Sequence, residues 1–289
     1  MIKILVPVNF SDYSLNAISY ALTLAEKFPA EVIILHCFSN YVPLNEQEKT
    51  IKDVDKVVVE RVEKEEKDSQ QKLKELTNSF IKSLNQNQNQ NIDITYKFEY
   101  GYPEDVIPLI SKELSADVII MGTKCKGDTI KEALGSITGD VMQKVSAPVL
   151  AVPSHSTINL SRIGKVMFLI ELNQRDYISL HRLIRIISPF QTQINVVYYT
   201  TGKADKNDIR KMEMLHTYCD VTYRNYNINF DIITGKNFIK TVDEYLEENS
   251  IDIIAMTRRK RTVLRKLFSP SVTRKMLFNT DIPLLIFHS

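Results

Sequence analysis

A chain of 289 residues with 44% hydrophobic and 25% charged side chains has room for two ordinary domains and the composition of a globular protein. A formal net charge of +2 excludes a global pull toward nucleic acid or anionic lipid, and no window reaches the roughly 18 apolar residues of a membrane span. The three cysteines, Cys37, Cys125 and Cys219, have no metal-ligand spacing, and the five histidines are scattered, which argues against a metal site and for a reduced, cytoplasmic setting.

The elements alternate from the start. Ile2–Val8 is a short apolar run suited to a strand buried on both faces, and it reads as a first strand, not a signal peptide. Ser11 or Asp12 can cap a helix to about Phe28, with Leu15, Ile18, Ala21, Leu22 and Ala25 on one face. Glu31–Cys37 is a second strand, and the alternating IDITYKFEY of Ile92–Tyr100 is a third. Between them, Asn45–Leu84 carries an intermittent apolar stripe through Ile51, Val54, Val58, Val62, Leu73, Leu76, Phe80 and Leu84. Unbroken, it would run about 60 Å, so a break or protruding end is expected near Tyr41–Val54. The NQNQNQN tract after it reads as a polar loop. Pro103 opens a third helix, Asp117–Met121 is a fourth strand, Ser136–Val145 a helix and Pro148–Val152 a fifth strand.

The chain then repeats itself. KILVPVN (3–9) matches KVMFLIE (165–171), and EVIILHC (31–37) matches QINVVYY (193–199), both at an offset of 162. Gly101 falls on Gly235, Ile94 on Ile228 and Ile119-Ile120 on Ile253-Ile254 at an offset of 134, and APVLAVPS (147–154) matches IPLLIFHS (282–289) at 135. A competing alignment of Asp117 with Asp252 needs a one-residue slip and is set aside in favour of the apolar runs. The offset falls within Tyr41–Asn91, so the first copy has the longer second crossover. The expected organisation is two α/β units, 1–154 and 160–289, joined by the polar linker Pro153–Arg162, each with a doubly wound, mostly parallel five-stranded sheet.

The stretch MGTKCKGDTIKEALGSIT (121–138) lies where such a sheet binds ligands, after the fourth strand and at the start of a helix. A helix N-terminus offers free N–H groups and partial positive charge to a phosphate. Gly135 allows close backbone approach, Ser136 and Thr138 offer hydroxyls, and Lys124 and Lys126 add charge. At these residues the chain resembles the universal stress protein family in tandem form. Nucleotide-binding members carry Gly, two residues, Gly, nine residues and Gly-Ser/Thr; Gly122, Cys125 and Gly135-Ser136 keep that spacing. ILVPVNFSDYS and SAPVLAVP are similar to the family's first and fifth strands.

The resemblance implies a Rossmann-like α/β fold with strand order 3-2-1-4-5 and dimers made through the fifth strand, a pairing that two copies in one chain can satisfy internally, with a homodimer as the alternative. It implies an adenine nucleotide such as ATP, with Mg2+ for a triphosphate. The implied contacts are Pro7, Val8, Asn9, Cys37, Met121, Gly122, Thr123, Cys125, Lys126, Gly127, Gly135, Ser136, Ile137 and Thr138. Two residues depart from the pattern. Asn9 replaces an acid but can still hydrogen-bond a ribose hydroxyl. Cys125 replaces a glycine, and at a positive φ it is strained by about 1 kcal/mol or more. Gly127 offers the loop another path.

The second copy departs further. In the apolar alignment Met256 replaces Gly122, RRKRTVLRK (258–266) replaces the loop, and Glu171 stands at the place of Asn9. This copy is not expected to hold ATP in the family manner. Its basic run, Arg258 to Lys266, reads as a solvated loop before an anion or nucleic-acid site. The leading function is a regulatory protein of the stress response whose first copy binds an adenine nucleotide, with slow ATP hydrolysis at most because no general base is placed. The alternative is a nucleotide-free scaffold acting through an unknown protein partner. A third reading makes Cys125, between two lysines, a redox-reactive thiol.

Overall fold

The computed structural model describes residues 1–39, 56–86, 92–123, 136–154, 156, 163–258 and 281–288. Lys124, Cys125, Lys126, Gly127, Gly135, the expected break at Tyr41–Val54 and the basic run after Arg258 lie outside the described residues.

The first half runs β1 (Ile2–Val8), α1 (Asp12–Ala25), β2 (Ala30–Phe38), α2 (Lys56–Gln86), β3 (Ile92–Tyr100), α3 (Pro103–Glu113), β4 (Val118–Thr123), α4 (Ser136–Lys144) and β5 (Val149–Pro153). The second runs β6 (Lys165–Ile170), α5 (Gln174–Ile187), β7 (Gln193–Thr200), α6 (Lys206–Thr222), β8 (Asn227–Thr234), α7 (Phe238–Asn249), β9 (Ile253–Arg258) and β10 (Leu284–His288). The caps follow the sequence: Ser11 takes the Ser14 N–H, Pro103 occupies the first turn of α3, and Asn173 and Asp176 form a reciprocal capping box on α5.

All ten strands lie in one sheet, β3-β2-β1-β4-β5-β10-β9-β6-β7-β8. Each half has the order 3-2-1-4-5 with parallel neighbours. The halves join edge to edge through one antiparallel pair, β5 with β10. In that seam Leu150 faces Leu285, its own repeat equivalent, flanked by Ala151 with Leu284 and Val149 with Ile286. A local pseudo-twofold axis therefore passes through Leu150 and Leu285, and the internal pairing implied by the family resemblance is present. Pairing removes both inner edges that would otherwise present unsatisfied N–H and C=O groups.

Buried clusters cover both faces across the seam. One packs α1, α2, α5 and α6 on the sheet, the other α3, α4 and α7. The central strands are buried on both sides, as their unbroken apolar runs require. Helix α2 has 31 residues, about 46 Å, and only part of its stripe is covered: Leu73 and Leu84 are buried, while Leu76 and Phe80 pack half-buried.

The register corrects the alignment of the repeat. Asp117 accepts the Lys3 N–H at 3.0 Å, and Asp252 accepts the Lys165 N–H at 2.8 Å. The Asp117 and Asp252 amides in turn donate to the carbonyls of Lys3 and Lys165. Ser115 and Ser250 both sit at φ 52°, and Phe10 and Leu172 at φ 62° and 56°. The offset is therefore 135 from Ser115 onward, the slip that the apolar match rejected. Thr257, not Met256, stands where Gly122 does, and Arg258 stands where Thr123 does.

Candidate functional site

The strand order reverses between β1 and β4, so the crevice beyond their C-terminal ends is the place for a ligand in the first half. Side chains alternate across a strand, and this divides the candidate residues by face. Met121 and the half-buried Cys37 belong with the α3 and α4 side, and alternation puts Pro7 and Thr123 there too. Val8 points the other way, into the α1 core, and offers only its backbone to the crevice. Its carbonyl accepts a hydrogen bond at 2.9 Å from Nδ1 of His36, whose burial lowers its pKa below the ordinary value. His36 is thus a satisfied strand-end histidine, packed with its ring tilted against Phe10 at 4.5 Å.

Asn9 is exposed at the end of β1 and already engaged. Its Oδ1 accepts from the Ser11 N–H and hydroxyl, and its Nδ2 donates to the Tyr13 hydroxyl at 2.9 Å. This is an Asx turn that leads the chain through the left-handed Phe10 into the cap of α1. Tyr13 was not singled out in the sequence, although its spacing of four from Asn9 on a helix start is a readable signal.

Gly122 has a purpose other than phosphate approach. A Cβ there would lie 2.0 Å from the Tyr13 carbonyl oxygen, so the glycine lets the first turn of α1 rest directly on β4. One residue on, Thr123 is buried and its hydroxyl has no hydrogen-bond partner among the described residues. Helix α4 begins at Ser136, with Ile137 39% exposed and Thr138 buried. The structure thus brings Pro7, Asn9, Met121, Thr123 and the start of α4 to one end of the sheet.

Cys37 is not poised for thiol chemistry. Burial pushes its thiol up to about 12, helped by Glu99 and Glu104, and burial raises Cys219 likewise to about 12. Against the ordinary 9.0 this leaves the thiolate fraction about a thousandfold lower at neutral pH. Alkylation of the folded protein at pH 8 is therefore expected to leave Cys37 and Cys219 unlabelled under conditions that label them fully in denaturant. Peptide mapping by mass spectrometry checks this; fast native labelling at either position contradicts it.

The second half has different residues at the equivalent strand ends. Arg258, the first residue of the expected solvated basic run, is instead buried, and its Nη1 donates to the Met142 carbonyl at 2.6 Å. His288 donates to the same carbonyl through Nε2 at 2.7 Å. These bonds tie the ends of β9 and β10 to the C-terminal turn of α4 across the seam. On Glu171, the residue aligned with Asn9, the backbone N–H goes to the buried Asp176 carboxylate.

The family pattern of the universal stress protein family matches residues 1–153. Universal stress protein MJ0531 of Methanocaldococcus jannaschii is 26% identical over 152 residues, 52% of this chain and 81% of that protein. Universal stress protein MJ0577 of the same organism is 27% identical over 157 residues, 52% of this chain and 93% of that one. Among solved structures, a universal stress protein from Archaeoglobus fulgidus DSM 4304 superimposes with a TM-score of 0.71, covering 99% of this chain and 98% of its own at 14% identity, a likeness of fold along the whole length. With its first half matched by sequence and the tandem architecture matched by fold, the chain belongs to the universal stress protein family.

Proposed function

We infer that the chain is a regulatory protein of the stress response whose first half binds ATP or a related adenine nucleotide at the C-terminal ends of β1 and β4, with Mg2+ accompanying a triphosphate. The observation that carries this reading is Thr123. Its hydroxyl is buried with no partner among the described residues, a costly arrangement, and it lies at the strand-order reversal. An incoming phosphate or ribose oxygen satisfies it. The start of α4 adds N–H groups and positive dipole for the phosphates. Asn9 contributes by fixing the end of β1, and Pro7 and Ile137 supply apolar surface over the buried Met121. The second half is the regulatory partner and not a second nucleotide site, because Arg258 and His288 occupy its strand ends with contacts to α4.

Thr123→Val tests the reading. It removes the hydroxyl at nearly constant shape, so the free protein should keep its stability or gain up to about 1 kcal/mol. ATP binding, measured by calorimetry with Mg2+, should weaken about tenfold. Unchanged affinity contradicts the role of Thr123, and absence of binding in the parent chain favours the nucleotide-free scaffold.

A further inference from the structure

Away from that site, the two halves leave a cleft of about 320 Å³ at the N-terminal ends of β1, β4 and β5, beside α1 and α5. Its wall is apolar, with Ile2, Leu24, Phe28, Val118, Pro148 and Ile186. Arg182 and Arg185 of α5 also line it, with Asp117. The Asp117 carboxylate is already used: one oxygen accepts the Lys3 N–H and the other pairs with Arg185 at 3.3 Å. That pair holds Arg185 at the cleft. Among the described residues, Arg182 is held by a bond from Nη1 to the His288 carbonyl at 3.2 Å. A guanidinium has five N–H donors, so both retain donors for a ligand. Among the described lining residues, two guanidinium groups against one carboxylate leave a positive charge above an apolar wall.

The repeat shows how the mirrored position differs. Leu24 and Ile186 are repeat equivalents, so the cleft lies close to the pseudo-twofold axis. At the mirrored position Tyr20 replaces Arg182 and Thr23 replaces Arg185. There Pro153 and Ser156 lie against α1: Tyr20 bonds through its hydroxyl to Ser156, and Asn16 donates to the Pro153 carbonyl at 3.1 Å. One side of the repeat is filled by its own chain, and the other is open and carries two arginines.

We propose that this cleft binds a small organic monoanion, a carboxylate with an aryl or short alkyl body. The carboxylate takes N–H donors from Arg182 and Arg185, and the body lies against Leu24, Phe28 and Ile186. The size, apolar lining and few convergent polar groups are those of a small-molecule site. Because the ligand would touch both halves at the seam, its occupancy is a means of coupling them.

The test uses the full chain with 2-naphthoate as probe and 2-naphthylmethanol as its uncharged counterpart, followed by calorimetry. Naphthoate should bind one site per chain with a Kd near or below about 1 mM, unaffected by ATP. The alcohol should bind about tenfold more weakly, and so should naphthoate to the double variant Arg182→Gln, Arg185→Gln. Both arginines are exposed, so the variant is expected to melt with the parent, and Arg185→Lys should restore part of the affinity. Equal binding of acid and alcohol, equal binding by the double variant, or no saturation by about 10 mM overturns the proposal.

Discussion

Gly122→Ala should destabilise the protein by about 3 kcal/mol, lowering the melting temperature by about 6–12 °C. The added Cβ would lie 2.0 Å from the Tyr13 carbonyl oxygen, 2.4 Å from the Tyr13 carbonyl carbon and 2.9 Å from the Ser14 nitrogen. All three are backbone atoms in the first turn of α1, so no side-chain rotation relieves the clash. The helix must retreat from β4, and the turn at Asn9, tied to the Tyr13 hydroxyl, moves with it. The equivalent position in the second half holds Thr257, which is buried there with its side chain in place. Thr257→Gly should therefore cost only about 1 kcal/mol. Denaturant titration of both variants checks the contrast, and a Gly122→Ala protein within about 1 kcal/mol of the parent contradicts it.

Ending the chain after Ser154 should convert a self-paired protein into a homodimer. In the full chain β5 pairs antiparallel with β10, its own repeat, about an axis through Leu150 and Leu285. Without the second half, β5 presents a buried-type apolar strand with an open ladder, and a second copy of the same strand can complete it with the same geometry. Light scattering coupled to size exclusion should give about twice the mass of the truncated chain, and Leu150→Pro should drive it to monomer or aggregate. A well-folded monomer of residues 1–154 would show that the seam is not needed to protect β5.

The sheet and its order were legible because strands buried on both faces read as unbroken apolar runs, and because the repeat showed each run twice. The register of the repeat was harder. DVIIMG and DIIAMT match almost equally well at two offsets, since their apolar residues carry no positional information. The polar Asp117 and Asp252 carry it, by closing on the amides of Lys3 and Lys165. At the candidate site, the spacing of Gly122 and Ser136 pointed to the end of the sheet where the strand order reverses. The packing purpose of Gly122 was not legible, because its neighbour, the Tyr13 backbone, is more than a hundred residues away in sequence. Arg258 read as solvated for the same reason: the carbonyl that receives it belongs to the other half.

The central claim is nucleotide binding by the first half, and the most direct measurement is of what the protein carries. Freshly purified full-length protein is denatured, the released small molecules are separated by chromatography, and ATP with Mg2+ is titrated beside it. Near-stoichiometric adenine nucleotide is expected, reduced in Thr123→Val and absent in Gly135→Val. No released nucleotide and no binding at millimolar ATP would contradict it.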